Sequence, residues 1–249
     1  MTPIEAIVVA VAGMCAGAIN TVVGSGTLIT FPVLLAIGYP PVVANASNSI
    51  GLVPGGVTGA IGYRRELEGQ RSRLLRLGIC SLLGGVTGAL LLLWLPPGVF
   101  KAVVPVLIVI ALVLVVMQPW LSRRLSERER HEHGGIGALI ATYFAGVYGG
   151  YFGAAQGVLL VGLLGIMIDE GLQRLNALKN ALTAGVNLVA GIIFVAIADV
   201  DWLVVLLIAA GSTVGGVIGA KIGRKLPPAV LRGVIVVVGV VAIVKLLTS

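Results

Sequence analysis

Side chains that can bind an oxyanion occur in two separate groups in this 249-residue sequence. One group surrounds the stretch GSGTLITFP, residues 24–32, and the other lies in and after GVYGGYFGAAQG, residues 146–157. Hydroxyl and amide groups donate hydrogen bonds to anions, and glycine leaves backbone N–H groups accessible. Neither stretch contains Asp or Glu, so these residues favour recognition of a small anionic solute. The candidate binding residues are Asn20, Gly24, Ser25, Gly26, Thr27, Asn45, Ser47 and Asn48 in the first group and Gly153, Gln156, Gly157, Asn176, Lys179 and Asn187 in the second.

Lys179 supplies the one full positive charge among these candidates. It lies at the predicted mouth of a hydrophobic segment, so two roles stay open. It can contact the anion, or it can anchor a helix end at the membrane surface.

The sequence gives no sign of a metal site or a cofactor. The triplet HEH at 131–133 contains both histidines, but it lies in a stretch of mixed charge without a supporting cluster of Cys or Asp. We therefore predict a solvated loop there, no bound metal and no cofactor.

The composition is that of an integral membrane protein made of helices. Hydrophobic residues make up 58% of the chain and charged residues 11%. Continuous apolar runs such as VLIVIALVLVVM, residues 106–117, favour helices, because the strands of a membrane barrel alternate polar and apolar residues. The net charge is +7, but the basic residues lie in short loops between apolar segments. We therefore expect these basic residues to interact with the surface of a lipid bilayer, and we expect no binding of nucleic acid.

Two of the hydrophobic segments are too long to be single spans. Hydropathy divides the chain into eight segments, near residues 4–37, 46–63, 74–95, 99–121, 136–168, 180–198, 202–220 and 229–247. The first and the fifth exceed the length of one span, and each contains a glycine-rich stretch. We predict that each is broken at its glycines. Backbone that leaves the helix inside a membrane needs protein or a polar cavity to satisfy its N–H and C=O groups, so the breaks predict a site.

The sequence also contains an internal duplication. LPPGVFKAVVPVLIVIAL from Leu95 aligns without gaps to LPPAVLRGVIVVVGVVAI from Leu226, at an offset of 131. Nearer the start of each half the offset is 129, which pairs Gly24 with Gly153. The predicted organisation is an N-terminal membrane repeat over 1–121, a cytoplasmic polar linker over 122–135 and a C-terminal membrane repeat over 136–249. The two repeats are expected to form one integrated transport domain.

Loop charge indicates that the two repeats have opposite orientations. If each long segment crossed once, 10 of the 17 basic residues would lie on the cytoplasmic side. If each returns to its starting side as a re-entrant hairpin, 15 of the 17 do. The predicted fold is therefore an all-α integral membrane protein of two inverted four-segment repeats, each with a broken re-entrant hairpin and three transmembrane helices. Glycines at a spacing of four, Gly84/Gly88 and Gly211/Gly215/Gly219, are interpreted as helix-packing surfaces.

Two long stretches resemble a known family. AGAINTVVGSGTLITFPVLLAIGYPPVVANASNSIGLVPGGVTGAIGYRRE resembles the N-terminal half of the TauE/SafE proteins. GVYGGYFGAAQG followed by NALKNALTAGVNLVAGIIF is similar to their second half. The resemblance implies a multi-pass transporter of sulfite, sulfonates or related sulfur-containing or organic anions in the plasma (inner) membrane of a prokaryote. This chain departs from many relatives at Gly24-Ser25-Gly26-Thr27, where they carry a longer glycine run, and at Ser47-Asn48-Ser49, where they carry Thr-Asn-Lys.

The leading hypothesis is a secondary transporter that works by alternating access, with a midplane site between the two hairpins. The alternative is a passive anion channel of the same fold. We predict no enzymatic activity, because the sequence has no HExxH motif, no histidine in any segment and no pair of intramembrane carboxylates. A homo-oligomer is compatible with the sequence, which does not fix the oligomeric state.

Overall fold

A computed structural model describes residues 1–125 and 135–223 and only isolated positions after them. Most of the predicted linker and the eighth predicted segment, with HEH at 131–133, lie outside the described residues. The regular elements within these two ranges are all helical. They are α1 Pro3–Val22, α2 Thr27–Ile37, α3 Pro41–Gly51, α4 Val53–Gly62, a 3₁₀ turn Arg64–Leu67, α5 Arg71–Trp94, α6 Pro97–Leu125, α7 Gly135–Tyr151, α8 Gln156–Met167, α9 Leu172–Ile197, α10 Trp202–Ile218 and a π-helical turn Gly219–Gly223.

Several of these helices are long and apolar enough to cross a bilayer. In the described part of the chain there are five: Pro3–Val22, Arg71–Trp94, Gly98–Met117, Leu172–Ile197 and Trp202–Lys221. A span needs about 20 predominantly apolar residues, and each of these reaches that length. The prediction of an all-helical, multi-pass membrane protein is confirmed.

The first and fifth segments are broken at the predicted glycines. α1 ends at Val22 and α2 begins at Thr27, with Gly24 between them at φ +89°. α7 ends at Tyr151 and α8 begins at Gln156, after Gly153 at φ +76°. Positive φ angles interrupt a right-handed helix, and glycine adopts them without steric cost. The first break is shorter than predicted, because the second half of GSGTLITFP, from Thr27 to Pro32, already belongs to α2.

Two helices begin earlier than hydropathy predicts. The predicted segments start at 46 and 180, whereas α3 starts at Pro41 and α9 at Leu172. The predicted starts are wrong because hydropathy places polar residues outside a span. Here Asn45 and Lys179 are fully buried and bonded to neighbouring helices, so the helices continue through them.

Glycines allow close contact between the two halves of the chain. A Cβ on Gly84 or Gly88 would overlap the backbone of α7, and one on Gly211 or Gly215 would overlap the backbone of α1. Small residues at such interfaces let membrane helices approach closely. The predicted packing role of these glycines is confirmed. The first helix of each half therefore packs against the helix of the third hydrophobic segment of the other half, α1 against α10 and α7 against α5.

These two helix pairs are parallel. Gly211 faces Ala10 and Gly215 faces Met14, so contact positions rise together along α1 and α10. Likewise, Gly84 faces Tyr143 and Gly88 faces Val147 along α5 and α7. The direction of α10 therefore fixes that of α1, and the direction of α5 fixes that of α7.

Polar contacts mark the two opposite ends of the helix bundle. Glu170, just before α9, accepts hydrogen bonds from Arg73 at 2.7 Å and Arg174 at 2.5 Å. Asp201, after α9, accepts one from the Tyr39 hydroxyl at 2.8 Å. A helix of 26 residues is about 39 Å long, so the Glu170 end and the Asp201 end lie on opposite sides.

Polar contacts locate the residues that follow α2 and α8. Tyr39, which follows α2, bonds to Asp201, the residue before α10. Glu170, which follows α8, bonds to Arg73 of α5. The chain therefore reaches the Asp201 end after α2 and the Glu170 end after α8.

Asp201 also caps α10, which leads to a stability prediction. Burial raises the pKa of its carboxyl, but hydrogen bonds from the Val204 N–H and Tyr39 outweigh this and hold the pKa below its usual 3.8. Because the folded-state pKa is lowered, this stabilisation is present above about pH 4 and is lost as pH falls through the folded value. We expect Asp201→Ala to lower the free energy of unfolding at pH 7 by about 1 kcal/mol, the usual value of an N-cap.

The measurement is thermal unfolding in detergent between about pH 7 and pH 3, where the variant should also lose less stability on acidification than the wild type. Asp199→Ala is the matched control, because Asp199 is exposed and caps no helix. An equal loss in both variants would contradict the capping role.

Candidate functional site

The two helix breaks touch each other in the interior. The Gly157 N–H donates a hydrogen bond of 3.0 Å to the Gly24 carbonyl. A Cβ on Gly24 would lie only 2.5 Å from the Gly157 Cα, closer than real Cβ contacts. The contact therefore requires glycine on both sides and brings the end of α1 and the start of α2 against the start of α8.

Aromatic rings hold the breaks in place. Phe31 of α2 and Phe152 of the second break meet edge to face with centroids 5.1 Å apart. Phe100 of α6 packs against both, at 6.4 and 6.0 Å. All three side chains are buried. Edge-to-face packing of this kind stabilises a fixed arrangement, so the broken segments have rigid support.

Lys179 reaches the crossing point from α9. Its side chain is fully buried, and its Nζ donates to the carbonyl oxygens of Asn20 at 2.9 Å and Thr21 at 3.0 Å. Its Cδ lies beside both glycines: a Cβ on Gly24 would be 3.1 Å from it and one on Gly157 would be 2.8 Å. The prediction that Lys179 lies at the mouth of a helix is wrong, since it is the eighth residue of α9 and lies in the interior.

The charge of Lys179 is not balanced by a carboxylate in the described part of the chain. Its two partners are carbonyls at the C-terminal end of α1, which carry only partial negative charge. A buried charge without a counterion costs several kcal/mol. An ammonium group has three protons, and two of them are used by Asn20 and Thr21. The group therefore retains a donor and an excess of positive charge.

Polar atoms without a hydrogen-bond partner lie on both breaks. The Ser25 Oγ and the Gln156 Nε2 are buried and make no hydrogen bond within the described structure. Ser25 belongs to the first break, and Gln156 is the first residue of α8. Buried polar groups normally have a hydrogen-bond partner, so each of these atoms is expected to bond to a ligand or a water molecule. Hydroxyl and amide groups can both donate to an anion.

Asparagines of α3 connect the first half to this region. The Asn48 side-chain amide donates to the Thr27 Oγ1 at 3.3 Å, and the Thr30 hydroxyl donates to the Asn48 Oδ1. The Asn45 amide donates to the Tyr151 carbonyl at 3.1 Å, while its own Oδ1 has no partner. Each helix that precedes a break therefore has carbonyl groups in its last turn that are bonded by a side chain from the other half of the chain. Lys179 bonds those of α1, and Asn45 bonds that of α7.

The structure brings together most of the predicted site residues. Asn20, Gly24, Gly157 and Lys179 meet at the crossing, and the Gly26 N–H donates to Asn20 Oδ1 at 3.4 Å. Gly153 shapes the second break through its positive φ. Asn176 is buried three residues before Lys179 on the same helix.

Two predicted residues lie apart from this cluster. The Ser47 Oγ accepts a hydrogen bond from the Asp201 N–H at 3.0 Å, so it fixes the loop before α10. Asn187 is half-buried eight residues beyond Lys179, about 12 Å further along α9. Within the described residues, neither side chain has a hydrogen bond to the breaks.

Three residues at the cluster were not among the predicted site residues. The Thr21 carbonyl accepts from Lys179 and also from the Asn180 amide at 3.2 Å, and Thr30 bonds Asn48. Thr30 follows Thr27 by three residues, a spacing that places both on one helical face and could have identified it. A backbone carbonyl such as that of Thr21 leaves no sequence signal.

Comparison of the sequence with known protein families and with individual proteins points to one family. The family model described as "Sulfite exporter TauE/SafE" matches residues 9–246. The chain is 27% identical to "Probable membrane transporter protein YfcA" of Escherichia coli (strain K12) over 235 residues, 94% of this chain and 86% of the relative. It is 26% identical to "Probable membrane transporter protein ORF9" of Sinorhizobium sp over 243 residues, 96% and 91% of the two chains. No solved structure matches the chain significantly. With the family model covering nearly its whole length, this chain is a membrane transporter of the TauE/SafE family.

Proposed function

We propose that this transporter moves small oxyanions of sulfur, sulfite or sulfonates, by alternating access at the crossing of its two helix breaks. The observation that carries the proposal is Lys179, a fully buried cation without a carboxylate partner in the described structure. An anion at this point would supply the missing counter-charge. The family's description as sulfite exporters supports the choice of sulfur oxyanion.

The donors at the crossing suit an oxyanion that has lost its water. Lys179 keeps one N–H, and the Ser25 Oγ and the Gln156 Nε2 have no hydrogen-bond partner among the described residues. Charge-assisted hydrogen bonds to oxyanions are about twice as strong as neutral ones in a dry environment. A cation would meet the Lys179 charge directly, so the same group excludes it.

The architecture supports alternating access between two inverted hairpins. In this proposal, α1 with α2 and α7 with α8 are re-entrant hairpins that return to opposite ends of the bundle. The parallel packing of α1 with α10 and of α7 with α5 supports this, as do the contacts of Tyr39 with Asp201 and of Glu170 with Arg73. At the repeat offset of 131, Tyr39 corresponds to Glu170 and Asp201 to Gln70. The Tyr39–Asp201 bond closes one end, and Gln70 lies with Glu170 and Arg73 at the other. In the proposed cycle, one of these contacts opens while the other stays closed.

Uptake of labelled sulfite into proteoliposomes tests this function. Saturable uptake that sulfoacetate inhibits and acetate does not is the expected result. Uptake that never saturates and follows the gradient passively would favour an anion channel instead. Absence of uptake of sulfite, sulfate and thiosulfate by folded protein would overturn the substrate class.

Asn45 provides a specific prediction within this assay. Its amide is buried and bonded to the Tyr151 carbonyl beside the breaks, and its Oδ1 is free. Asn45→Ala removes a buried hydrogen bond and loosens the end of α7, so we expect about a tenfold lower uptake at low sulfite. Asn187→Ala is the matched control, since Asn187 lies about 12 Å along α9 from Lys179. Equal losses in the two variants would argue against a site at the breaks.

A further inference from the structure

A cavity opens between the ends of α4 and α10, away from the helix breaks. Its volume is about 600 Å³. α10 starts at the Asp201 end, so its last turn and this cavity lie at the Glu170 end of the bundle. The lining residues that carry the argument are Ile61, Arg64, Arg65, Val217 and Lys221.

The mouth of this cavity is strongly positive. Arg64, Arg65 and Lys221 line it, all three are exposed, and none forms an ion pair within residues 1–125 and 135–223. The described lining contains no acidic residue. A second cavity of about 250 Å³ has Arg73 and Arg76 in its wall, and the Arg73 guanidinium is bound to Glu170 at 2.7 Å. Of these two cavities, the larger one therefore has more basic residues without an ion pair in the described structure, three against one.

The wall of the larger cavity is apolar and accessible. Ile61 and Val217 are large hydrophobic residues with 53% and 39% of their surface exposed. They belong to α4 and α10, which are apolar helices of a membrane protein. A small inorganic anion would contact the basic mouth and leave this wall and most of the 600 Å³ unfilled. The combination fits a molecule with an anionic head and a hydrocarbon chain.

We propose that this cavity binds an anionic glycerophospholipid. Its phosphate lies between Arg64, Arg65 and Lys221, and an acyl chain covers Ile61 and Val217. Basic pockets between membrane helices recognise anionic head groups, with about 1 kcal/mol, or fivefold in affinity, for each basic residue near the surface. The site is separate from the proposed anion path and does not depend on the substrate of the transporter.

Native mass spectrometry of the full-length protein in a neutral detergent tests this proposal. Dioleoyl phosphatidylglycerol and dioleoyl phosphatidylcholine are titrated in separately. We expect phosphatidylglycerol to bind the wild type more tightly. The double variant Arg64→Gln/Lys221→Gln should weaken its binding about 25-fold, the product of two fivefold effects.

A matched double variant separates a local site from general attraction. Arg71→Gln/Lys101→Gln also removes one arginine and one lysine charge, but from exposed residues outside the cavity, and it should leave binding unchanged. The charge-conserving variant Arg64→Lys/Lys221→Arg should bind phosphatidylglycerol as tightly as the wild type. This comparison shows that the loss in the Gln variant comes from the missing charge. Equal binding of the two lipids, or equal loss in the two double Gln variants, would overturn the proposal. Displacement of the lipid by soluble sn-glycerol 3-phosphate at a concentration similar to that of the lipid would show that the cavity binds a free phosphate group. That result would also overturn the proposal.

Discussion

Replacement of Lys179 with methionine is expected to lower sulfite uptake at low substrate concentration by about tenfold to a hundredfold. Methionine has nearly the same length and enough flexibility to occupy the space that the lysine side chain fills beside Gly24 and Gly157. It removes the buried positive charge that an anion would contact. A charge-assisted hydrogen bond contributes about 1.5–3 kcal/mol, which corresponds to this range of affinity.

The same variant should fold normally. It removes a buried charge that has no carboxylate partner in the described residues, and the Thr21 carbonyl keeps its bond from Asn180. The Asn20 carbonyl loses its Lys179 partner, which offsets part of this gain, so we expect a melting temperature close to that of the wild type. Lys101→Met, which changes an exposed lysine, is the control and should transport normally. Full uptake by a folded Lys179→Met protein would remove Lys179 from the proposed path.

Introduction of a methyl group at Gly24 should have the largest effect on stability. The Gly24→Ala Cβ would lie 2.5 Å from the Gly157 Cα, and the residue would keep a φ of +89°. The left-handed conformation costs a non-glycine residue about 1–2 kcal/mol, and overpacking costs about 1–3 kcal/mol more. We therefore expect the free energy of unfolding to fall by about 2–5 kcal/mol, measured by unfolding in detergent.

Two other glycines separate these contributions. Gly38 has φ +104°, but no atom lies within 4 Å of the position that a Cβ would take, so Gly38→Ala should show the conformational cost alone, about 1–2 kcal/mol. Gly98 lies in α6 with open space and without a left-handed φ, so Gly98→Ala should be neutral or slightly stabilising. A Gly24→Ala loss no larger than that of Gly38→Ala would show that the contact between the breaks relaxes easily.

The breaks and the packing surfaces could be predicted from the sequence because each has a local cause. The segment over 4–37 is too long for one span and contains glycines, so a break at Gly24 follows from length and backbone freedom. Glycines at a spacing of four lie on one helical face, which predicted the contacts of Gly84 and Gly215.

The environment of Lys179 could not be predicted in the same way. Its partners are backbone carbonyls 158 and 159 residues away in the chain, and every residue has a carbonyl. Hydropathy treats lysine as a residue that remains at the surface, so the predicted segment started at 180 and left Lys179 outside. The burial follows from the tertiary contact with α1, which local sequence patterns do not record.

The packing of α1 against α10 has a consequence for biosynthesis. The ribosome completes α1 roughly 200 residues before it completes α10. At about 5–20 residues per second, α1 waits about 10–40 s in the membrane before its main partner exists. During that interval its small-residue face, including Gly13 and Gly17, is open to lipids and to other nascent helices. This interval ends when translation has passed residue 218 and α10 is available to cover the face.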